Sequence, residues 1–219
     1  MAKAAECSGH RWAFFVALNL RRLNVSRESL LKIEAYVDLL LTWQAKINLI
    51  GPSTVETVWR RHVLDALQLL PLMHAKTEAV ADLGSGAGIP GLVLALGGNL
   101  RADLYESNGK KVAFLREAIR QTKANARVHQ IRLETLEEHL PERIPDYVTA
   151  RALAPLEKLL VWAEPLLKRG AIGLFHKGQD VDSEVNKATK FWKMGAIIRH
   201  ASMTDSDGTI LEVKEITRV

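Results

Sequence analysis

The sequence predicts an α/β fold in which a mostly parallel sheet carries helices on both faces and follows a helical extension. From Glu78 onward, short apolar runs alternate with helical patterns, as in strands joined by helical crossovers. A glycine-rich turn follows the first run, Ala79–Leu83. The first 75 residues instead carry apolar residues at helical spacing, and no linker rich in Gly, Ser or Pro follows them. We expect residues 1–75 to pack on the main domain, residues 76–219, as one structural unit.

Two helices are predicted in the extension. Ser26 is placed as the cap of the first, because one helical face behind it is apolar; that face comprises Leu30, Ile33, Val37, Leu40 and Leu41. Gly51-Pro52 breaks this helix. Ser53-Thr-Val-Glu56 then matches a capping box, which predicts a second helix running to about Leu70 and stopped by Pro71.

Seven strands and four helices are predicted in the main domain. The strand candidates are Ala79–Leu83, Ala102–Glu106, Val128–Leu133, Tyr147–Ala150, Ala171–Phe175, Ile197–Ala201 and Ile210–Ile216. The helix candidates are Pro90–Leu96, Gly109–Lys123, Leu156–Leu167 and Ser183–Lys193. No helix separates the last two strands, so we expect them to form an antiparallel edge pair. Ligands of such sheets bind beyond the carboxyl ends of the strands, so we expect four segments to converge there: the glycine turn, Glu106, the loop after Leu133 and the segment after Ala150.

Composition narrows the class of protein. The chain has 219 residues, 47% of them hydrophobic, and no apolar run long enough to span a bilayer. The apolar segment Trp12–Leu20 is short and lacks a small-residue cleavage site, so a signal peptide is a poor interpretation. The single cysteine, Cys7, excludes an intramolecular disulfide and a cysteine-only metal site. We expect a cytoplasmic monomer that has no metal and does not contact a membrane.

The net charge of +5 suits a polyanionic partner as well as it suits a generally basic, solvated surface. Clustering of the cations favours the partner. The clusters comprise Arg11, Arg21, Arg22 and Arg27 near the N-terminus, Arg60 and Arg61 in the second helix, and Lys110, Lys111, Arg116, Arg120, Lys123 and Arg127 further on.

The glycine turn is the strongest indication of a ligand. Gly86-x-Gly88-x-x-Gly91 fits a dinucleotide site, and Glu106 lies near the position of a ribose-binding carboxylate. Asp82, however, precedes the turn, and a carboxylate there would repel a pyrophosphate. S-adenosylmethionine carries an ammonium and a sulfonium and no phosphate. The pattern therefore favours a methyl donor over a dinucleotide or a purely structural turn.

Each candidate residue at this edge has a structural alternative. Glu106 is expected to accept both ribose hydroxyls, the alternative being an exposed loop carboxylate. Asp82 either contacts the ligand or caps backbone amides of the turn. Arg151 ends a buried strand, where a cation needs a partner, and a functional role is favoured over a structural ion pair. His62 and Asp65 share one helical face, and helix packing is favoured for Asp65.

Further basic and polar residues are candidates for contact with a nucleic acid. Lys177 and Gln179 follow the fifth strand, where an acceptor-binding loop and a plain connecting loop are equally supported. Gly109–Lys123 is basic, and its first turn points toward the same edge. The full set of candidates is Arg60, Arg61, Lys110, Lys111, Arg116, Lys177 and Gln179. A tryptophan exposed near the donor site could stack on a flipped base.

Several motifs together resemble one family. They are Asn48-Leu49, Arg61-His62-Val-Leu-Asp65, Asp82-Leu-Gly-Ser-Gly-Ala-Gly-Ile-Pro-Gly91, Gly109-Lys-Lys111, Phe114-Leu115-Arg116, Thr149-Ala-Arg151-Ala152 and Lys177-Gly178-Gln179. In this order the chain resembles the small-subunit (16S) rRNA guanine-N7 methyltransferases (the RsmG, or GidB, family). The resemblance extends from about Val25 to the final strand. The Ile-Pro-Gly ending of the turn and the Ala-Arg-Ala segment make it specific.

The resemblance implies a Rossmann-like class I methyltransferase fold with a seven-stranded sheet and an N-terminal helical cap. It implies transfer of a methyl group from S-adenosylmethionine to N7 of one guanosine in the decoding region of 16S rRNA, in the small subunit or its assembly intermediate. The donor would lie against Leu133 and Glu134 at its adenine and Arg151 at its methionine end. The turn would supply Asp82, Gly84, Ser85, Gly86, Gly88 and Ile89.

The chain departs from the family in one respect. Members often carry an arginine before the final strand, whereas Asp207-Gly208-Thr209-Ile210 has none, so another basic residue would have to replace it.

Guanine N7 already offers a lone pair, so the predicted reaction needs no strong base and no certain catalytic residue, with Arg151 the one candidate. The absence of an Asn/Asp-Pro-Pro-aromatic segment and the peripheral position of Cys7 favour a ring-nitrogen acceptor. Two other functions stay open, namely methylation of a small molecule or protein, and RNA binding without catalysis.

Overall fold

The computed structural model describes residues 23–204 and 208–219. They form one seven-stranded sheet in the order β3-β2-β1-β4-β5-β7-β6. The strands are β1 Ala79–Leu83, β2 Arg101–Tyr105, β3 Ala126–His129, β4 Tyr147–Arg151, β5 Ile172–Lys177, β6 Trp192–Ala201 and β7 Thr209–Arg218. The α-helices of five or more residues are α1 Arg27–Gln44, α2 Gly91–Gly98, α3 Gly109–Thr122, α4 Leu156–Leu167 and α5 Val181–Ala188.

The first five strands are parallel, and β7 runs antiparallel to both β5 and β6. The predicted fold class and the antiparallel edge pair are therefore confirmed. Within the described ranges, no helix is both long and apolar enough to cross a bilayer.

Several predicted boundaries near the sheet are wrong, among them the start of β6, which lies at Trp192 and not at Ile197. The helix expected over Ser183–Lys193 ends at Ala188, because Trp192 begins β6 and pairs with Arg218 of β7. The strand expected over Val128–Leu133 is β3 at Ala126–His129, and a 3-10 helix begins at Leu133. In both cases strand pairing, which is not visible in local periodicity, decides where the element ends.

The extension begins as predicted and then departs from prediction. Ser26 caps α1, its side chain accepting a 3.0 Å hydrogen bond from Ser29 N. After Gly51, however, no continuous helix forms. Ser53 lies inside a 3-10 helix, Pro52–Thr54, instead of acting as a cap, so the capping-box prediction is wrong.

A π-helical turn, Trp59–Leu64, follows and passes into a single α-turn, Asp65–Leu67, and a 3-10 helix, Leu70–Leu72. Two side chains of the sheet donate hydrogen bonds to carbonyl oxygens of this region. Arg151 on β4 donates to Arg61 O, and His176 on β5 donates to Asp65 O. Tertiary bonds thus accompany the departure from regular α-geometry, as is common at π-bulges.

The core occupies both faces of the sheet. Alternate residues of β1 point to opposite sides, with Val80 toward α1, α2 and α3, and Ala81 and Leu83 toward α4 and α5. On α1 one face is fully buried; it comprises Ile33, Tyr36, Val37 and Leu40. The extension therefore shares a core with the sheet. The predictions that concern Cys7, Arg11, Arg21, Arg22, the segment Trp12–Leu20 and Asp207 lie outside the described residues.

Candidate ligand-binding site at the carboxyl edge of the sheet

A hollow of about 330 Å³ lies where β1, β2 and β4 end. It is lined by Gly84, Tyr105, Glu106, Ser107, Lys111, Ile131, Arg132, Leu133, Glu134, Ala152, Leu153 and Trp162. The four segments that the sequence placed at this edge all contribute to it, since the lining includes the glycine turn, Glu106, the loop at Leu133 and the segment after Ala150. Parallel strands bring these loops together because their carboxyl ends share one edge.

The glycine turn presents backbone to the hollow. Gly84 and Gly86 have φ values of +67° and +57°, which side chains with a Cβ rarely adopt. A Cβ on Gly86 would have only Gly84 O near it, at 3.8 Å, so the backbone there is open to a ligand. The buried Ser85 supports the turn from behind, because Ser85 O accepts a 2.7 Å hydrogen bond from Gly88 N.

Of the other turn residues, Ile89 is 8% exposed and belongs to the core beneath the turn. Gly88, with φ +87°, leaves no room for a side chain, because a Cβ would lie 2.8 Å from Leu92 Cβ. Ser85, Gly88 and Ile89 therefore shape the turn, and Gly84 is the turn residue that lines the hollow.

Glu106 is fixed by the turn that it faces. Its Oε2 accepts a 2.9 Å hydrogen bond from Gly86 N, and its Oε1 accepts a 2.8 Å bond from Asn108 N. The carboxylate is 9% exposed and lines the hollow. A carboxylate has about four lone-pair sites, so two amide bonds leave capacity for two further donors. The exposed-loop alternative for Glu106 is excluded by this burial.

Asp82 lies beneath the turn and does not line the hollow. It is 1% exposed, its Oδ2 accepts a 3.2 Å bond from Gly91 N, and its Oδ1 accepts a 2.8 Å bond from Thr149 Oγ1. Burial raises the pKa of Asp82 to about 6. A Cβ on Gly91 would overlap the Asp82 side chain, which explains the glycine at that position. Of the two roles left open for Asp82, the structure places it in the capping one.

The sequence analysis placed the carboxylates of both Asp82 and Glu106 beside the ligand, and only Glu106 of the two lines the hollow. With Asp82 buried, Glu106 and Glu134 are the carboxylates at the hollow, and Lys111 and Arg132 also line it. The charge of the rim alone therefore does not select a cationic ligand over a phosphate.

Arg151 forms an ion pair with the extension. Its Nε lies 2.8 Å from Asp65 Oδ2, and its side chain is 20% exposed. Asp65 also accepts hydrogen bonds from Gln68 Nε2 at 2.7 Å and Thr204 Oγ1 at 2.6 Å. The expectation that favoured a functional role of Arg151 over a structural ion pair is corrected to this extent, because Arg151 is paired with the buried carboxylate of Asp65.

Lys177 is not available to a nucleic acid. Its side chain is 5% exposed, and its Nζ lies 2.6 Å from Glu184 Oε2 and 2.8 Å from Ala154 O. Glu184 in turn accepts a 2.6 Å bond from Leu156 N at the start of α4. Lys177 therefore fixes two loops together, and its assignment as an RNA contact is corrected.

The remaining basic candidates lie at the surface. Lys110 and Arg116 are exposed on α3, and Lys111 is half-buried at the hollow. Arg60 is exposed and donates a 3.2 Å hydrogen bond from Nε to Thr204 O. Arg61 is half-buried, and Gln179 is exposed in the loop after β5.

Sequence reasoning missed several lining residues. Leu153 leans over the turn so closely that a Cβ on Gly84 would overlap it. Trp162, on α4, lines the hollow, and Lys158 Nζ lies 4.8 Å from its ring centroid. Leu153 follows the Ala-Arg-Ala segment directly, so its position just after the end of a predicted strand could have identified it as a lining residue. Trp162 offered no such signal, because helix packing alone brings it there.

The chemistry available at the hollow is binding and alignment. Backbone amides and Glu106 offer hydrogen bonds to a nucleoside, while Leu133, Leu153 and Trp162 offer apolar walls. Across residues 23–204 and 208–219, no group of three or more His, Cys, Asp or Glu could hold a metal ion.

This sheet order, with a glycine turn after β1 and an acidic residue after β2, defines the class I methyltransferase fold. Solved structures share it at low sequence identity. The glycopeptide N-methyltransferase MtfA, complexed with S-adenosylmethionine, is similar with a TM-score of 0.57 and 11% identity over 70% of this chain and 93% of that one. TYW2 of M. jannaschii, in complex with AdoMet, is similar with a TM-score of 0.54 and 15% identity over 80% of each chain.

Sequence comparison then identifies the family. The family model for rRNA small subunit methyltransferase G (GidB) matches residues 29–208. Ribosomal RNA small subunit methyltransferase G of Nitrobacter winogradskyi is 45% identical over all of this chain and 78% of its own length. The Rhodospirillum rubrum protein of that name is 48% identical over 89% of this chain and 94% of its own. The chain belongs to the rRNA small subunit methyltransferase G family, as the motif resemblance predicted.

Proposed function

We propose that this protein transfers a methyl group from S-adenosylmethionine to N7 of a guanosine in the decoding region of 16S rRNA and releases S-adenosylhomocysteine. The observation that carries the proposal is the hollow in which Glu106 is locked against Gly86 N, in a chain of this family. The substrate is the small ribosomal subunit or an intermediate in its assembly. The enzyme acts as a cytoplasmic monomer.

The donor would be held by residues already in place. Glu106 has lone pairs left for the two ribose hydroxyls, and Leu133 and Glu134, which line the hollow, would contact the adenine. The open backbone of Gly86 leaves room for the methionine part. Asp82, Ser85, Gly88 and Ile89 act by holding this turn.

The proposed reaction makes small chemical demands on side chains. Bound S-adenosylmethionine supplies an electrophilic methyl group, and guanine N7 supplies a lone pair without losing a proton. Catalysis then consists of alignment and exclusion of water, which together can supply about 7–11 kcal/mol. Leu153 and Trp162 are the apolar walls that would exclude water, and Trp162 offers a ring on which a base could stack.

The RNA would meet a basic margin beside the hollow. Lys111 lines the hollow, Lys110 and Arg116 lie with it on α3, and Arg60 and Arg61 of the extension would add further phosphate contacts. Gln179, exposed in the loop after β5, would contact the acceptor. Phosphate contacts of this kind release counterions and make binding depend on salt. Lys177 is excluded from the set by its bond to Glu184.

The decisive experiment incubates the protein with labelled S-adenosylmethionine and, in parallel, 30S subunits, free 16S rRNA, 50S subunits and a ribosome-free extract. Nuclease digestion and mass spectrometry then locate the label. We expect N7-methylguanosine in 16S rRNA alone. Label in proteins or metabolites would instead support another methyltransferase activity, and label in no fraction would support a non-catalytic RNA-binding protein.

The donor site is tested separately by one pair of variants. Glu106→Gln places an amide NH2 group against a backbone N–H and removes the charge, so calorimetry should show S-adenosylhomocysteine binding weakened about 10–100-fold. Glu142→Gln, an exposed glutamate in the loop before β4, is the matched control and should bind as the wild type does. Equal affinity in the two variants would reject the assigned pocket.

A further inference from the structure

The guanidinium of Arg151 is held at all three nitrogens by the extension. Nε bonds Asp65 Oδ2 at 2.8 Å, NH1 lies 2.8 Å from His62 Nδ1, and NH2 donates to Arg61 O at 2.7 Å. An arginine has five N–H groups. Within the part of the chain that the structure describes, two of these, one on NH1 and one on NH2, have no partner. The side chain is 20% exposed, so its partners do not fully enclose the guanidinium.

The hydrogen-bond partners of His62 fix its tautomer. A guanidinium only donates, so His62 Nδ1 must accept the bond from Arg151, and the ring proton must be on Nε2. His62 Nε2 lies 2.7 Å from Thr54 Oγ1, which therefore accepts from it. The Thr54 hydroxyl in turn donates to Gly51 O at 2.7 Å. In this series of hydrogen bonds from Arg151 through His62 and Thr54 to Gly51, the donor and the acceptor of every bond are therefore determined.

The same geometry excludes a charged imidazole. Protonation would place an N–H on Nδ1 directly against an N–H of Arg151. Burial, together with the positive charges of Arg151 and Arg61, lowers the pKa of His62 to about 4, although the Asp65 carboxylate acts in the opposite direction. His62 is 5% exposed, so water does not screen these charges.

Arg151 occupies a position between the extension and the hollow. It is the last residue of β4, and the next two residues, Ala152 and Leu153, line the hollow. Arg151 itself does not line it. A long arginine side chain has several rotamers, so three bonds to one rigid partner determine where its two remaining N–H groups lie.

We propose that His62, fixed by Thr54 as the neutral Nε2–H tautomer, is a positioning residue for methyl transfer. It holds Arg151 so that the two remaining N–H groups of the guanidinium bind an oxygen of the RNA beside the donor. The inference rests on the proposed function, because it assigns the acceptor side of that same site. It adds a role for the extension, which supplies every group that orients Arg151.

Kinetics of three variants test the proposal. His62→Leu removes the acceptor for Arg151 and should lower kcat on 30S subunits about 10–100-fold, the range expected when a reacting group is misplaced. Its affinity for S-adenosylhomocysteine should not change. His62→Gln keeps an acceptor and a donor on one side chain and should recover most of the activity. His74→Gln, an exposed histidine before β1 at the opposite edge of the sheet, is the control.

Wild-type kcat in the folded His62→Leu variant would overturn the proposal, as would a Gln variant that is no better than the Leu variant. If the wild type itself transfers no methyl group to rRNA, the proposed function fails instead.

A spectroscopic test applies even if His62→Leu does not fold. In the 15N-histidine-labelled wild-type protein, long-range 1H–15N spectra should show two of the seven histidines as the neutral Nε2–H form from pH 8 to pH 5: His176, whose Nε2 donates to Asp65 O and whose pKa burial also lowers, and His62 with a signal of its own. That signal should be absent from His62→Gln. A His62 that titrates near the ordinary pKa of about 6.5, or that carries its proton on Nδ1, would overturn the locked arrangement.

Discussion

The phenol of Tyr36 donates a 2.8 Å hydrogen bond to the carbonyl oxygen of Ala87. Tyr36 belongs to α1 of the extension, and Ala87 lies within the glycine turn of the candidate donor site. Both residues are buried, and burial raises the pKa of Tyr36, so the hydroxyl stays protonated and donates. The extension thus supports the turn directly, through a bond that no feature of the turn sequence reveals.

Replacing Tyr36 by Phe should destabilise the protein by about 1–3 kcal/mol, because the Ala87 carbonyl is left buried without this donor. Urea denaturation measures the loss. Tyr105→Phe is a matched control, since the buried Tyr105 hydroxyl has no hydrogen-bond partner among the described residues. We expect the Tyr105 variant to be as stable as the wild type or more so. Equal losses in the two variants would contradict the role given to the Tyr36 bond.

Asp82 should make the protein less stable as the pH rises. Its pKa is about 6 in the folded state and about 4 in an unfolded chain, so the folded state binds its proton more tightly. The resulting stabilisation is fully present below pH 4 and is lost as the pH rises through 6.

The comparison that isolates this effect is wild type against Asp82→Asn. An asparagine could accept from Gly91 N while its NH2 group donates to Thr149 Oγ1, whose hydroxyl already lies 3.4 Å from Ala81 O. From pH 4 to pH 8 the wild type should lose on the order of 1–3 kcal/mol relative to the variant. Burial also lowers the pKa values of His62 and His176, but their effect on the pH dependence of stability is the same in both proteins and cancels in the difference. A stability difference that does not change with pH would show that Asp82 is ionised throughout.

Lys110 and Lys111 should account for part of the salt dependence of RNA binding. Replacing each by Gln removes one phosphate contact and should reduce the slope of log affinity against log salt by about one. Filter binding of 16S rRNA at several salt concentrations measures the slope. Lys76→Gln, exposed before β1 at the opposite edge, should leave it unchanged. If all three variants behave alike, the basic margin on α3 is not the RNA contact.

Lys177→Met should lower the stability of the protein and leave the salt dependence of its RNA binding unchanged. It removes the partner of Glu184 and should cost about 3 kcal/mol in unfolding free energy. The exposed Lys187→Gln on α5 serves as the control and should cost nothing measurable. A reduced salt slope with wild-type stability would return Lys177 to the set of RNA contacts.

Local sequence predicted those elements whose signals are local. Ser26 marked the start of α1, and α4 occupies Leu156–Leu167 as predicted, because caps and helical periodicity are properties of neighbouring residues. The capping box at Ser53 failed for the complementary reason. Side chains from β4 and β5 bind carbonyls of the following segment, and such partners are invisible to a local pattern.

The sequence by itself determined the sheet, the glycine turn, the place of Glu106 and the family, because glycine spacing and strand–helix alternation record backbone requirements directly. Only the tertiary structure decided which charged groups are available to a ligand. Asp82, Arg151 and Lys177 occupy predicted positions, yet each is bonded to a partner from a distant segment: Thr149, Asp65 and the carbonyl of Ala154. The physical reason is that a buried charge must be paired, and the chain supplies its partner through folding and not through nearness in sequence.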